Sequence, residues 1–350
     1  MKVPKIIRKA LNIPKERAER RKMDLIIQRR EELPIPMRLI IDELKYQKPE
    51  EFLINFDFEL YKFLWEGGSL DDERDTKEQV ELTIRLFPNV LSRRNFRMSF
   101  PVHGLFRSIK SVSFVPLFAR LGTELGDFRP RERGGFVLGT YSNCFHKLAS
   151  SCEDVPIDDF TLQDLMDQKL LGIIRELRRM DFMKESDIVD YWYIMDTLCQ
   201  QKHFPLRRFL YLVDWNPRCL LKPNRKNAIS DALISRFLLN GDFKSLDGAE
   251  FLFGVLIRYY PYDLGFLFDK TTRGESTSAF EIACREFGRD PILSILNDCL
   301  NKQMNRDPNF TQKALIRMGS THADRSEAIF FLIRNSPMIV HQQSRSRSSR

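Results

Sequence analysis

The sequence predicts an all-α protein, an irregular helical solenoid of helix-turn-helix units, and three observations carry that prediction. Apolar residues recur at helical spacing through most of the chain. Capping residues and prolines stand where these runs begin, and glycines or prolines where they end. Two short motifs recur along the chain, as stacked repeats require.

At 350 residues the chain exceeds the size at which one hydrophobic core stops growing, which favours two domains or an elongated array. With 43% hydrophobic and 30% charged residues it has the composition of a folded protein. No stretch is long and apolar enough to span a bilayer, and Met1-Lys2-Val3-Pro4-Lys5 opens no secretory hydrophobic region. The expected location is cytoplasmic or nuclear.

Taken in order, residues 15–32 are rich in helix formers but offer only a narrow apolar stripe at Ala18, Leu25 and Ile26, which predicts an exposed basic helix. Leu33-Pro34-Ile35-Pro36 breaks it. The domain reading is a basic N-terminal helix and linker over 1–38, a repeat body over 39–340, and a disordered Arg/Ser tail over 341–350. Pro101 to Arg107 predicts a short helix. Ser111 then precedes Val115, Leu117, Phe118 and Leu121, a run that ends at Gly122 with Pro116 in its first turn. Asn227 to Leu239 predicts a further helix burying Ala228, Ile229, Ala232, Leu233 and Phe237.

Asp247 and Glu250 read as an N-cap with an acid three residues on, ahead of Phe251, Leu252, Val255, Leu256 and Tyr259. Ser276 starts the next helix, with Ala279, Ile282, Ala283 and Phe287 on one face and Gly288 as its stop. Asp290 caps a third, with Pro291 at its first position and Ile292, Ile295, Leu296 and Cys299 as its stripe. The product is a helix–short turn–helix pair.

The first recurring motif is an apolar helix end, a proline and a short apolar run. It occurs at Leu86-Phe87-Pro88, Trp215-Asn216-Pro217, Tyr259-Tyr260-Pro261 and Asn335-Ser336-Pro337. The second occurs at Phe100-Pro101-Val102-His103, Asn143-Cys144-Phe145-His146, Asn227-Ala228-Ile229 and Ser278-Ala279-Phe280, and is similar to the ankyrin signature T-P-L-H-x-A.

Tyr259 to Asp269, Ala279 to Cys284 and Phe287-Gly288-Arg289-Asp290, with Leu86 to Val90, Ser111 to Leu117 and Tyr211 to Pro217, resemble the divergent ankyrin-like repeat proteins of the uncharacterised diatom families. The resemblance covers residues 80–300 and implies ankyrin-like helix-turn-helix repeats. It also implies that His103 and His146 hydrogen-bond backbone groups of an adjoining turn and hold neighbouring repeats in register.

Charge is concentrated at the ends. Residues 1–38 hold 12 Lys or Arg against 5 Asp or Glu, residues 341–350 add 3 Arg, and the remaining 302 residues hold 41 bases and 43 acids. The body is therefore not a basic nucleic-acid-binding domain, although the ends can attract polyanions, and Arg20-Arg21-Lys22 reads as a solvated segment or a nuclear import signal.

The six cysteines contain no C-x-x-C pair and read as buried thiols. Cys144-x-His146 with Cys152 lacks a fourth ligand, so no metal is assigned. No phosphate-loop, dinucleotide, zinc-protease or serine-nucleophile motif is present. Gly134-Gly135 reads as a flexible loop between repeats, and Asp71-Asp72 and Asp158-Asp159 read as helix caps.

The expected function is a non-enzymatic protein-protein interaction scaffold without a cofactor. Its partner is another protein, met through rim residues Arg93, Arg94, Arg129, Arg131 and Arg133, because Arg is enriched at contact surfaces. The alternative is an adaptor tethered to nucleic acid or an anionic membrane through its basic termini.

Overall fold

A computed structural model describes residues 5–65, 69–95, 99–126, 128–138, 143–156, 158–191, 193–220, 245–262, 264–267, 278–307 and 309–319. The Asn227–Leu239 helix, Ser276, the Pro337 motif and the 341–350 tail lie outside these residues. Among the described residues every regular element is an α-helix or a 3-10 helix and none is a strand, so the chain is all-α. It divides into two compact units, Met1–Lys184 and Glu185–Arg350.

The first unit contains α1 (Lys5–Gln28), α2 (Ile35–Leu44), α3 (Pro49–Trp65), α4 (Lys77–Leu86), α5 (Pro101–Gly104), α6 (Val115–Leu125), α7 (Cys144–Ala149) and α8 (Phe160–Arg179). Some of its helices pair with neighbours, α2 with α3 and α5 with α6, and others pair at alternate positions. Helix α1 packs on α3, α3 on α5 and α5 on α7, while α4 packs on α6 and α6 on α8.

Helix α3 starts as its sequence dictates, with Pro49 at the first position, where no amide partner is lost, and Glu50 and Glu51 in the first turn. Phe52, Phe56, Leu60 and Phe63 recur at helical spacing and are all buried. The Phe56 ring lies 5.8 Å from Phe52 and 5.4 Å from Phe87. Each buried Phe contributes about 1.5–3 kcal/mol, so this stripe anchors the unit.

Helix α1 is not simply exposed. Ala18 and Leu25 face solvent, but Met23 and Ile26 are buried against the body, because α1 packs along α3. The helix ends at Gln28, and Pro34 and Pro36 form the start of α2.

Helix α4 opens with a reciprocal cap in which Thr76 Oγ1 accepts from the Gln79 amide and the Gln79 side chain accepts from the Thr76 amide. Asp71 and Asp72 do not cap it. Their carboxylates meet Lys110 and Lys169 at 2.9 and 2.6 Å, cations brought in by the fold. Asp159 does cap α8, accepting from the Leu162 amide at 2.9 Å.

Helix α6 passes through Gly122 and stops at Gly126. Gly122 is there for packing, since a Cβ on it would lie 2.6 Å from the Gly134 carbonyl oxygen. Gly134 adopts φ 63° and Gly135 φ 87°, both buried against α6. The expected flexible loop is thus a packed corner, with glycine at 134 because a Cβ there would lie 2.3 Å from the Ala119 carbonyl oxygen.

The second unit contains α9 (Glu185–Asp190), α10 (Tyr193–Gln200), α11 (Leu206–Trp215), α12 (Leu246–Tyr259), α13 (Ala279–Phe287), α14 (Arg289–Arg306) and α15 (Phe310–Gly319). Helix α12 packs on α14, which also packs on α13 and α15. Ser245 caps α12 and Ser278 caps α13, each two residues from the predicted Asp247 and Ser276. Gly288, at φ 89°, both ends α13 and precedes α14, which starts ahead of the predicted Asp290 cap. Pro291 still falls in the first turn, and Ile292, Leu296 and Cys299 are buried as expected.

The recurring motifs mark helix ends and starts. Pro88, Pro217 and Pro261 each stand two positions after the last residue of α4, α11 and α12, and the first two open 3-10 turns. Pro101, Cys144 and Ala279 are the first residues of α5, α7 and α13.

Candidate functional site

Helix α3 is apolar on two faces. Opposite its buried stripe, Ile54 and Phe58, four residues apart, are 61% and 53% exposed. Beside them a groove of about 310 Å³ is lined by Lys22 of α1, Leu53, Ile54 and Asp57 of α3, and Phe87 and Arg93 that follow α4. Lys22 Nζ sits 3.8 Å from the centre of the Phe87 ring, and burial pushes its pKa down against the opposing pull of Asp57. Arg93 pairs with Asp57 and lies 5.2 Å from the Tyr61 ring centre. Lys62 covers the exposed Phe58 ring at 4.5 Å. The site offers apolar and aromatic surface rimmed by oriented cations, the chemistry of a protein contact surface.

Of the five arginines expected at the rim, Arg93 belongs to this groove. Arg94 is exposed and stacks at 4.9 Å on Phe100, whose ring meets Phe128 edge-on at 5.1 Å. Arg129 and Arg131 are exposed. Arg133 is structural: it takes φ 47° at the glycine corner, and its guanidinium donates to the Phe182 carbonyl at 3.0 Å. The five therefore do not form one surface.

Ile54 and Phe58 carried a signal that composition hides, a second apolar stripe on a helix whose first stripe already fills the core. Lys22 and Asp57 carried none, since only the packing of α1 on α3 makes them groove residues.

His103 acts within its own turn, where Nδ1 accepts from the Phe100 amide at 3.1 Å. Burial lowers its pKa to about 4, with the Leu138 backbone opposing and Lys147 adding to the shift. The half-buried His146 gives its backbone amide to the Asn143 cap, and its ring lies 3.4 Å from Ser150 Oγ. Burial raises the Cys144 thiol well above its ordinary range, and the Cys152 amide donates to Met166 Sδ at 3.2 Å. Among the described residues no three His, Cys, Asp or Glu side chains are placed to hold a metal ion.

A second groove, of about 590 Å³, lies in the other unit between α11, α12 and α14. Its wall includes Phe251, Val255, Arg258 and Cys299. Burial raises the Cys299 thiol to about 11, which keeps it protonated at neutral pH, and Lys302 is held by Glu250 at 2.9 Å. Among the described residues no helix is long and apolar enough to cross a membrane. Compared with protein-family models, curated proteins and solved structures, the chain matches none of them.

Proposed function

We propose that this chain is a non-enzymatic protein-protein interaction scaffold, its body an irregular solenoid of ankyrin-like helix-turn-helix repeats. The pairing of alternate helices supports the solenoid, because stacked two-helix units place each helix against its counterpart in the next unit. Exposure of Ile54 and Phe58 beside the Lys22–Arg93 groove carries the binding reading. Two large apolar side chains, one turn apart on a well-anchored helix, gain free energy when a partner covers them. The partner lays an apolar segment on α3 and meets Arg93 and Lys22 with carbonyl or carboxylate groups.

Affinity purification from the source cell tests this. The full chain retains specific protein partners, and the double substitution Ile54→Glu with Phe58→Glu loses them while keeping its helical circular dichroism. Identical partner sets for the two proteins exclude α3 as the docking face.

The second reading, an adaptor on nucleic acid or an anionic surface, is favoured by one observation, the solvated arginines of α1.

A further inference from the structure

We propose that the outward face of α1, carrying Arg17, Arg20 and Arg21, binds the phosphate backbone of a nucleic-acid duplex. This deepens the adaptor reading by fixing its site and ligand, and it does not depend on the scaffold.

Residues 17, 20 and 21 stand at i, i+3 and i+4 and so share one face of the helix. All three are exposed, and none has an ion-pair or ring partner among the described residues. Two neighbouring cations are directed elsewhere: the exposed Lys15 lies 3.4 Å from both Glu19 and Glu50, and Lys22 sits over Phe87 in the α3 groove. Arg20-Arg21-Lys22 is therefore not displayed as one basic run, which argues against the import-signal reading. The helix instead presents three arginines, the outer two about 6 Å apart along its axis, far enough to reach separate phosphates. Asp24, one turn beyond Arg20 and Arg21, and Glu16, one turn before Arg20, border this face and limit its charge.

The choice of ligand follows from what else the helix offers. A helix lying on a membrane must bury an apolar face in it, whereas among the described side chains of α1 Met23 and Ile26 are spent on the body and Leu25 is the large apolar residue left exposed. A single strand is held largely by aromatic rings stacked on its bases, and residues 17, 20, 21, 24 and 28 include none. Guanidinium groups on a rigid rod suit the regular phosphates of a duplex.

The test uses the full chain, since Met23, Ile26 and Leu33 are core residues and deletion of 1–38 would remove them. Binding to a duplex is followed by fluorescence anisotropy across a salt series. The triple substitution Arg17→Gln, Arg20→Gln, Arg21→Gln should weaken binding at least tenfold at low salt and reduce the log–log salt slope by about 2.7, close to 0.9 per phosphate contact. Unchanged affinity and slope overturn the proposal. Loss of binding on substituting Arg345, Arg347 and Arg350 by Gln, with no effect of the α1 triple, also overturns it but leaves the adaptor reading standing. Binding to phosphatidylserine vesicles as tight as to the duplex overturns the assignment of ligand.

Discussion

Glu81 of α4 and Arg120 of α6 form one side of a closed ring of four charges. Arg120 donates to Glu81 at 2.6 Å, Arg85 reaches Glu81 at 2.7 Å and Glu124 at 2.8 Å, and Arg120 meets Glu124 at 3.1 Å. Each ion satisfies two others, so the ring fixes α4 against α6 above their apolar contact. The side chains are 39% and 26% exposed, which limits the strength of the central pair. A double-mutant cycle on Glu81→Gln and Arg120→Gln should give a coupling of about 1 kcal/mol or less, shrinking as salt rises. Zero coupling at low salt would show that the ring does not hold the helices.

Glycine tolerance separates packing from propensity. A Cβ at Gly134 would fall 2.3 Å from the Ala119 carbonyl oxygen, at a φ that disfavours other residues, whereas Gly172, inside α8, has nothing within 4 Å. Chemical denaturation should show Gly122→Ala and Gly134→Ala costing at least about 1–3 kcal/mol. Gly172→Ala should stabilise by about 0.5–1 kcal/mol, because alanine is the better helix former. Equal effects at the three positions would contradict the packed corner.

His103 predicts an acid-sensitive fold. Its folded pKa is about 4, below its ordinary 6.5, so the unfolded chain binds the extra proton between those values. Its stabilising contribution is complete above about pH 6.5, falls as pH drops toward 4, and changes no further below that. Over this window the wild type should lose about 3 kcal/mol relative to His103→Gln, measured by denaturation at a series of pH values. A constant difference would place the imidazole in water.

The fold class was legible because period, caps and prolines agree. Pro88, Pro217 and Pro261 end helices by local chemistry alone, so their positions could be read directly. The cap positions were legible only to within two residues. Ser245 and Asp247 are both good caps, and the choice between them depends on which register buries Leu252 and Leu256. The backbone role of Arg133 was not legible, because arginine type says nothing about a left-handed backbone or a carbonyl 49 residues away. The groove was invisible for the same reason: Lys22, Asp57 and Arg93 meet only through tertiary packing.

Helix α13 distinguishes a buried from a half-buried site. Ile282 is 5% exposed and Phe280 only half-buried. Ile282→Ala should cost about 2–5 kcal/mol, and Phe280→Ala should fall below the 3–5 kcal/mol of a fully buried ring. A larger loss at Phe280 than at Ile282 would reverse the assigned faces of the helix.

The scaffold reading stands on whether a protein covers the outer face of α3 in the cell. Replacing Phe58 by a photo-reactive phenylalanine analogue in the full chain, and crosslinking in the source cell, tests this at the residue concerned. A discrete set of protein adducts should form from position 58 and be absent when the same group is placed at the open position 172. Adducts that are identical from the two positions, or none from position 58, would contradict docking on α3.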